Sequence, residues 1–535
     1  MQQSLNDVLI PEIFNLISDN LSQFDIVSLS LTCKSLHELS LTKLYRSITI
    51  DSKFNQFENG YLELNTTFIK SKANVALLLR SLNSSTPTTQ MNLWQLIKRF
   101  SVVNKPLEFY DFESFLLGTN FKESFFLRTR LSSVSLNSPV SYEVLRHLLL
   151  DKYSRENLDE LEFNVNIHAC TQPIQELIDG VNEEEYPKFQ NLRKLSIGPF
   201  KHNMNYTQIL DVILDYGMYT KLNELQVLAQ HKTSRLPDLL ELSNSKVYES
   251  NHLFDTLCKF KNLNRLSLCS FNFNQSQIES DQSFMTKFDI MEDLEFLELS
   301  DISLISPTVG TSILHTLYQT SSRCMLKVLK IDIRTPADDF IPSFIKDYIP
   351  QNQLKELDII IRSNSMQNTS LDELIDVYIL TIQRHNHSLE KLSIEIKSER
   401  NLLNIGEQLQ REHLCQLLSC SFPKLKSLRI QVQFLNLIIC RSQLFKNMPA
   451  LKNLWVVGTN SVPVHFGLGI VHPGIYDKWW RMISLPKNLI EGINNSLEYI
   501  KIDNCLFKVN HKSQEIVEPI DSFDDFFDSL TRVNF

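Results

Sequence analysis

Hydrophobic positions repeat along most of the chain in one short pattern, Leu-x-x-Leu-x-Leu/Ile/Val. Leu192, Leu195 and Ile197 make one copy, and the starts of successive copies are on average about 33 residues apart. The last two apolar positions of most copies flank a polar one, which is the period of two expected of a half-buried strand. Twelve copies lie between residues 131 and 502, and they start at Leu131, Leu158, Leu192, Leu222, Leu263, Leu294, Leu326, Leu354, Leu389, Leu425, Leu451 and Leu497. The pattern therefore predicts a strand in every copy.

Between the copies the apolar spacing changes toward the helical period of 3.6 residues. Residues 209–214 and 313–318 have this spacing, and the clearest example follows Ser370, which forms a capping-box pattern with Glu373. Its apolar positions are Leu371, Leu374, Ile375, Tyr378, Ile379 and Ile382. Alternating strands and helices predict an α/β fold, namely a β–α solenoid with parallel strands on one face and helices on the other.

The first fifty residues have a different pattern, which predicts three helices followed by a strand. Pro11 lies in the first turn of the first helix, where its missing N–H costs little, and Asp25 is the predicted cap of the second. Leu36 and Leu39 continue into the third helix, and residues 44–50 form the predicted strand. A unit of this size is near the lower limit for independent folding, so we expect a partner to cover its remaining apolar face.

Composition and charge narrow the class of protein. The 535 residues are 43% hydrophobic and 21% charged, which supplies enough apolar material for a large core. The net charge of −9 and the lack of a dense basic run argue against nucleic-acid binding. Nine scattered cysteines without a Cys-x-x-Cys pair are typical of a reducing compartment. Because no secretory signal or long apolar run is visible, we expect a cytoplasmic or nuclear protein without membrane insertion.

Motifs for catalysis and cofactor binding are incomplete. The chain has only 12 glycines, and Gly467-x-Gly469 lacks the third glycine of a dinucleotide-binding loop. Neither a Gly-Lys-Ser/Thr sequence nor a Gly-x-Ser-x-Gly elbow occurs. We therefore expect a protein that is not an enzyme and has no cofactor.

Histidines and cysteines cluster at two places in the second half of the chain. His413, Cys415 and Cys420 lie close in sequence, but a zinc site requires four ligands, so buried helix cysteines without a metal are the preferred interpretation. His385 and His387 lie at a predicted helix end, where a cation would be stabilised by the helix dipole.

The repeats resemble the leucine-rich-repeat family over roughly 370 residues. That family has Asn or Cys nine positions into each repeat; in this chain the last copy has it, with Cys505, whereas most copies do not. Phe271, Arg334 and Arg362 stand at this position in other copies. The resemblance therefore implies an irregular, helix-rich solenoid.

The N-terminal segment resembles an F-box. Its matching residues are Ile10-Pro11-Glu12-Ile13, the apolar Ile17 and Leu21, the pair Asp25-Ile26, and Thr32-Cys33-Lys34, with Leu36 where the family often has Trp or Phe. The resemblance implies a Skp-type adaptor as partner and, through it, a cullin–RING assembly. The residues it implies for adaptor binding are Ile10, Pro11, Ile13, Ile17, Leu21, Ile26, Leu29, Cys33 and Leu36.

By this resemblance the chain is a substrate-recognition subunit of a Skp–cullin–F-box ubiquitin ligase, which binds a target protein through its solenoid. One alternative is a Skp-bound structural or trafficking scaffold without ubiquitin-ligase activity. Another is a plain repeat scaffold whose N-terminal helices are only a cap.

The residue between the last two apolar positions of each copy is expected to point away from the core, because strand side chains alternate. Basic residues in this row would suit an acidic or phosphorylated target segment, and a merely solvated face is the alternative. In the ten copies from Leu192 onward, the row consists of Ser196, Gln226, Ser267, Glu298, Lys330, Asp358, Ser393, Arg429, Trp455 and Lys501.

The interval between Leu451 and Leu497 is longer than the others and contains three of the four tryptophans. Long aromatic loops are often functional, although these side chains could instead pack the loop onto the solenoid. The candidate substrate-binding residues are Lys330, Arg429, Trp455, His465, Phe466, Tyr476, Trp479, Trp480 and Lys501.

The predicted organisation has four parts. Residues 5–50 form the F-box, 51–130 a linking segment with the opening repeats, 131–510 the degenerate leucine-rich-repeat solenoid, and 511–535 a C-terminal cap or tail. The tail combines acidic residues with Phe523, Phe526 and Phe527, which fits a cap over the last repeat or a short interaction motif.

Overall fold

A computed structural model describes about half of the chain. The described residues are 11–19, 21, 23–52, 66–83, 92–104, 116, 125–140, 144, 147–148, 151–165, 189–198, 221–228, 262–269, 272–273, 293–304, 325–334, 340–363, 371–398, 409–457, 488–490, 496–502, 505–510 and 515–517. The chain divides into two compact units. One is Met1–Lys246 with Asp528–Phe535, and the other is Val247–Phe527.

The first unit begins with three short helices, α1 (Pro11–Ser18), α2 (Gln23–Ser30) and α3 (Lys34–Arg46). Both α1 and α2 pack against α3. The predicted three helices are therefore present, but two details differ. Helix α2 begins at Gln23, so Asp25 lies in its first turn instead of capping it, and α3 continues to Arg46, so the strand starts at Ser47 instead of residue 44.

Among the described residues of the first unit, seven parallel strands follow, and their spatial order is β2–β1–β3–β4–β5–β6–β7. They are β1 (Ser47–Asp51), β2 (Thr67–Ile69), β3 (Arg99–Asn104), β4 (Ser133–Val140), β5 (Glu160–Val165), β6 (Lys194–Ile197) and β7 (Glu224–Leu228). The helices between them are α4 (Lys72–Asn83), α5 (Leu93–Leu96), α6 (Phe125–Arg128) and α7 (Lys152–Asn157).

The second unit starts with β8 (Arg265–Cys269) and β9 (Asn272–Phe273), which both pair with β10 (Phe296–Leu304). From β10 the strands stack in chain order, all parallel as far as β16. They are β11 (Val328–Arg334), β12 (Glu356–Ser363), β13 (Lys391–Ser398), β14 (Ser427–Gln431), β15 (Asn453–Val457) and β16 (Tyr499–Ile502). The connecting helices are α8 (Phe340–Tyr348), α9 (Leu371–Gln383), α10 (Arg411–Leu417) and α11 (Phe434–Asn447).

Apolar residues stack in register through the second unit and form its core. Leu392 of β13 is paired with Leu357 on one side and Leu428 on the other, and the same row continues through Leu454 and Ile500. All five side chains are buried. Because parallel strands lie about 4.8 Å apart, each apolar residue contacts its counterpart in the next turn. The repeating leucine pattern thus determines both the strands and their register.

The prediction of a strand in every repeat copy is confirmed, since each of the twelve copies coincides with a strand. The helix predicted from residues 371–382 is confirmed as α9, which buries Leu374, Ile375, Tyr378, Ile379 and Ile382. The helices predicted at residues 209–214 and 313–318, and the capping residue Ser370, lie outside the described residues.

The parallel stack ends at β16. Cys505 begins β17 (Cys505–Asn510), which runs antiparallel to β16, and β18 (Glu515–Val517) is antiparallel to β17. After the last copy the chain therefore turns back as a hairpin. Cys505 stands at the ninth position, as in the leucine-rich-repeat family, but it lies in the antiparallel strand β17 and, within the described residues, is not followed by another parallel turn. Residues 518–535 lie outside the described residues.

Candidate functional site

Exposed aliphatic side chains occur on each of the first two helices. Ile13, Leu16 and Ile17 recur at positions i, i+3 and i+4 of α1, which places them on one side of the helix. Val27 of α2 and Leu31, just after that helix, are also exposed, Leu31 to 80%. We call these five residues the N-terminal apolar face. Several large apolar side chains exposed within about twenty residues of the chain make this segment a candidate binding surface.

The opposite side of α1 holds the helix to its neighbours. Phe14 is only 3% exposed, and Ser18, one turn further along, is fully buried with its hydroxyl donating to the Asn15 carbonyl. Ile26 of α2 is buried as well, and the ammonium group of Lys43 on α3 forms an ion pair with Asp19. Internal packing of the helices therefore relies on Phe14, Ser18 and Ile26, whereas the side chains of the N-terminal apolar face stay exposed.

Hydrogen bonds connect these helices to the strands and helix that come after them. The Phe68 N–H in β2 donates to the Gln23 side chain of α2 at 3.1 Å. Tyr45 of α3 and Ser81 of α4 share a hydroxyl–hydroxyl bond of 2.7 Å. Helix α2 is thus tied to β2 and helix α3 to α4, while α1 packs on α3.

The structure distributes the residues implied for adaptor binding among three environments. Ile13, Ile17 and Cys33 are exposed, Leu21, Leu29 and Leu36 are half-buried, and Ile26 is buried inside the helical module. Pro11 begins α1, and Ile10 lies outside the described residues. Leu16, Val27 and Leu31 also belong to the N-terminal apolar face, although the sequence resemblance does not assign them to adaptor binding. The i, i+3, i+4 spacing of apolar residues on α1 could have identified Leu16.

A second candidate surface is the line of residues between the apolar positions of neighbouring strands in the second unit. These residues are paired in register from one strand to the next. We call this line the polar row; it consists of Ser267, Glu298, Lys330, Asp358, Ser393, Arg429, Trp455 and Lys501.

The row is expected to point away from the core, but its smaller members and Lys501 are buried. Ser267 and Ser393 are buried, as is Ser196 at the equivalent position of the first unit. The Ser267 hydroxyl donates to a Glu298 carboxylate oxygen at 2.8 Å, and Ser196 donates to the Gln226 side chain at 3.1 Å. Because in-register neighbours lie one strand spacing apart, a long side chain covers the short one beside it.

Three of the predicted substrate-binding residues form one cluster at the β14–β16 end of the row. Trp455 is paired in register with Arg429 on one side and with Lys501 on the other. The Arg429 guanidinium carbon and the Lys501 Nζ atom each lie 4.1 Å from the centre of the Trp455 ring, on strands to either side of it. We call this arrangement the Trp455 stack. Cation–π attraction of this kind is strengthened where water is excluded, and Lys501 is only 2% exposed.

A carboxylate accompanies the Trp455 stack. Glu395 of β13 accepts from Arg429 at 3.0 Å, and both side chains are less than one-third exposed. The two cations of the stack outnumber this carboxylate, so the local charge of these four residues is positive and favours an anionic partner.

The other predicted substrate-binding residues are not brought to this cluster. Lys330 lies between Glu298 and Asp358 in register, so acidic side chains flank its charge. Its ammonium group is 5.4 Å from the Phe296 ring centre. His465, Phe466, Tyr476, Trp479 and Trp480 lie outside the described residues.

His413 has a structural role at the start of α10. Its Nδ1 atom accepts from the Gln410 N–H at 3.3 Å, while Nε2 lies 3.7 Å from an Asp372 oxygen and 3.8 Å from an Asp376 oxygen of α9. Cys415 lies within α10 and Cys420 just beyond it, and both are half-buried. Among the described residues, no group of three or more His, Cys, Asp or Glu side chains is arranged to hold a metal ion.

His385 is fully buried just after α9, and within the described part of the chain neither ring nitrogen has a hydrogen-bond partner. Burial lowers the pKa of its imidazole to about 4, and the Arg384 charge acts in the same direction. The expectation that His385 is a cation at the helix end is therefore wrong, because its ring is neutral near neutral pH. His387, two residues later, is exposed.

Over the ranges that the structure describes, no helix has both the length and the apolar character needed to cross a membrane.

Comparisons with known proteins neither assign this chain to a family nor exclude one. No family model matches the chain, and no curated protein matches it. Among solved structures, a chain from "Crystal structure of Rad7 and Elc1 complex in yeast" is 16% identical, with an alignment that covers 89% of this chain and 100% of that chain at a TM-score of 0.33. A similarity this weak supports no inference about this chain.

Proposed function

We propose that this chain is the substrate-recognition subunit of a Skp–cullin–F-box ubiquitin ligase, with no catalytic residues of its own. The N-terminal apolar face is the observation that carries the proposal. Ile13, Leu16 and Ile17 stay exposed on a helix whose other side already buries Phe14. A helix needs only one apolar side to pack in its own protein, and we infer that a partner buries the exposed side. The F-box resemblance of the same segment indicates a Skp-type adaptor.

The N-terminal apolar face is large enough to drive docking. Burial of an exposed aliphatic side chain contributes about 1.5–3 kcal/mol. Five partly exposed side chains therefore supply a gross driving force on the order of 5–10 kcal/mol, from which the cost of association is subtracted. Within such an interface, a few central anchors carry most of the affinity, and Leu16 and Ile17 are the best placed for this role on α1.

The Trp455 stack with Glu395 is the proposed contact for the target protein. Its excess positive charge suits an acidic or phosphorylated segment, because guanidinium groups pair with carboxylate and phosphate oxygens in two-pronged hydrogen bonds. An arriving anion would compete with Glu395 for Arg429, since these two side chains already interact at 3.0 Å. Ubiquitin transfer would take place on the assembled ligase and not on this chain.

The adaptor interaction can be measured with one substitution and a matched control. Ile17→Asp is expected to weaken binding of a purified Skp-type adaptor at least about tenfold, because it would place a carboxylate in an apolar contact. Ile439→Asp is the control, since Ile439 on α11 has the same 51% exposure but lies in the other unit. Titration calorimetry on the full chain gives both affinities. An unchanged affinity for Ile17→Asp, or an equal loss for Ile439→Asp, contradicts the proposal.

Co-purification of the wild-type chain then separates the two adaptor-bound functions. Recovery of the adaptor together with a cullin supports a ligase subunit. Recovery of the adaptor without a cullin indicates instead a structural or trafficking scaffold.

The target-binding role of the Trp455 stack is tested by reversing one charge. When the proteasome is inhibited, target proteins are expected to co-purify with the wild-type chain. Arg429→Glu is expected to lose at least one of them, because it replaces the cation that would hold an acidic segment. Lys424→Glu makes the same charge change at an exposed position just before β14 and is expected to keep that protein. Affinity purification with mass spectrometry supplies the comparison. Adaptor recovery has to be equal in both variants, and identical captured proteins would refute the assignment.

A further inference from the structure

Two cysteines of neighbouring helices in the second unit face each other. Cys415 of α10 and Cys440 of α11 have their sulfur atoms 3.7 Å apart, within hydrogen-bonding distance for thiols, and both are reduced. Cys415 is half-buried, whereas Cys440 is only 6% exposed. Helix α10 packs on α11, so the elements that carry the two sulfurs are held side by side.

This arrangement differs from that of a nearby cysteine in the same region. Cys420 is also half-buried, but its sulfur lies 4.0 Å from the hydroxyl of its neighbour Ser419. A disulfide has a sulfur–sulfur bond of about 2.05 Å, so Cys415 and Cys440 need to approach each other by less than about 2 Å. Side-chain rotation on two adjacent helices can supply a movement of this size.

We propose that Cys415 and Cys440 are an oxidative modification site, which forms a disulfide between α10 and α11 when the protein meets a peroxide. In the first step the Cys415 sulfur attacks hydrogen peroxide and becomes a sulfenic acid, with release of one water. In the second step the Cys440 sulfur displaces the hydroxyl group of that sulfenic acid, the S–S bond forms, and a second water leaves. Two thiols are oxidised and one peroxide is reduced, so the reaction balances.

The order of the two steps follows from access and charge. Peroxide reaches Cys415 first because that side chain is partly exposed. Burial raises the pKa of the Cys440 thiol to about 11, the neighbouring Cys415 adds to this effect, and Arg411 opposes it. Because the thiolate is the reactive form of cysteine, Cys440 is a poor first target, and its role as the resolving thiol rests on its position 3.7 Å from the Cys415 sulfur.

The disulfide would close a covalent loop around one turn of the second unit. Strand β14 lies between the two cysteines in the chain, and Arg429 is on that strand. A cross-link restricts the unfolded chain and thereby stabilises the folded state. The disulfide depends only on α10 and α11, so it forms whether or not the chain binds an adaptor or a target.

In the experiment, the purified full-length chain is treated with hydrogen peroxide. It is compared with variants in which one cysteine at a time is replaced by alanine. In the wild type, a non-reducing peptide map is expected to show a linked Cys415–Cys440 pair. The thermal midpoint of the second unit should rise by roughly 5 °C, and a dithiol reductant should reverse both changes. Cys420→Ala is the matched control and is expected to behave like the wild type.

The variants Cys415→Ala and Cys440→Ala are expected to lose both the linked peptide and the rise in the thermal midpoint. If Cys440→Ala does not fold, as judged by circular dichroism, Cys415→Ala at the more exposed position and the wild-type peptide map decide. Over-oxidation of Cys415 with Cys440 left as a free thiol would overturn the proposal. So would a disulfide that joins either residue to a different cysteine.

Discussion

The N-terminal apolar face and the polar row are both made of regularly spaced side chains, but they differ in whether those side chains can stabilise one another. Members of the polar row interact with one another, as Ser267 does with Glu298 and Trp455 with the cations beside it. Ile13 and Ile17 cannot be satisfied in this manner, because aliphatic side chains gain free energy only by leaving water. An exposed apolar face therefore indicates a missing partner more directly than a polar row does.

The same difference has consequences for affinity. A partner of the apolar face displaces only water, so most of the buried area contributes to binding. A partner of the Trp455 stack has to compete with Glu395 for Arg429 and has to replace a contact that is already made. We therefore expect binding at the polar row to be weaker per unit of area and more sensitive to salt, since charged groups dominate it.

The largest expected effect is a difference in stability between substitutions on the buried side and on the exposed side of α1. Phe14→Ala should destabilise the helical module by about 3–5 kcal/mol, because it removes a buried aromatic ring, whereas Ile17→Ala on the exposed side should change stability by less than about 0.5 kcal/mol. Hydrogen exchange of the α3 amides measures the free energy of local opening. Similar losses for both variants would mean that the outer side of α1 is part of the core, and the contrast with the polar row would disappear.

A second prediction concerns pH and the buried His385. Its folded-state pKa is about 4 against an ordinary value of 6.5, so the unfolded chain binds the proton more readily between these values. Above pH 6.5 His385 does not destabilise the folded state in this way. As the pH drops from 6.5 toward 4, the free energy of unfolding falls by about 3 kcal/mol in total. Denaturant unfolding of the second unit at several pH values should show this slope.

His385→Gln should remove most of this slope, because the glutamine side chain does not titrate. His387→Gln, a change at the exposed neighbour, should leave the slope intact and is the matched control. An identical pH dependence in the wild type and His385→Gln would show that the ring is not the titrating group.

The smallest effect lies within the polar row, where two buried serines differ in one respect. Ser267 donates to Glu298, whereas the buried Ser393 hydroxyl has no hydrogen-bond partner among the residues that the structure describes. Ser267→Ala should therefore cost about 1 kcal/mol, and Ser393→Ala should be neutral or slightly stabilising. Thermal unfolding of the two variants gives the difference. Equal costs would argue that side-chain hydrogen bonds along the row add nothing to its stability.

The strands of this protein were predictable because leucine spacing encodes them locally. Leu357, Leu392 and Leu428 each belong to a readable copy, and their register follows once copies are stacked. The strands before residue 131 were harder to recognise. Strand β3 and the residues just before it bury Ile97, Phe100 and Val102 at the same spacing, but this copy begins with Ile and Phe instead of Leu.

Features that depend on two distant segments were not predictable. The contact of Lys501 with the Trp455 ring joins two strands, and the contact of Cys415 with Cys440 joins two different helices. On α1 the apolar spacing allows two buried sides, and only packing against α3 selects Phe14 as the inner residue. Sequence spacing gives the periodicity of an element, whereas the choice of face is made by its neighbours.

The reversal of chain direction at β17 limits how this protein can change in length. A parallel repeat added after β16 would need the edge that β17 occupies through its antiparallel pairing with that strand. Growth by adding turns at this end is therefore blocked, whereas duplication of an internal turn, such as the segment from β12 to β13, preserves the pairing on both sides. Relatives with longer or shorter stacks should accordingly differ in their interior turns and share the hairpin that closes this end.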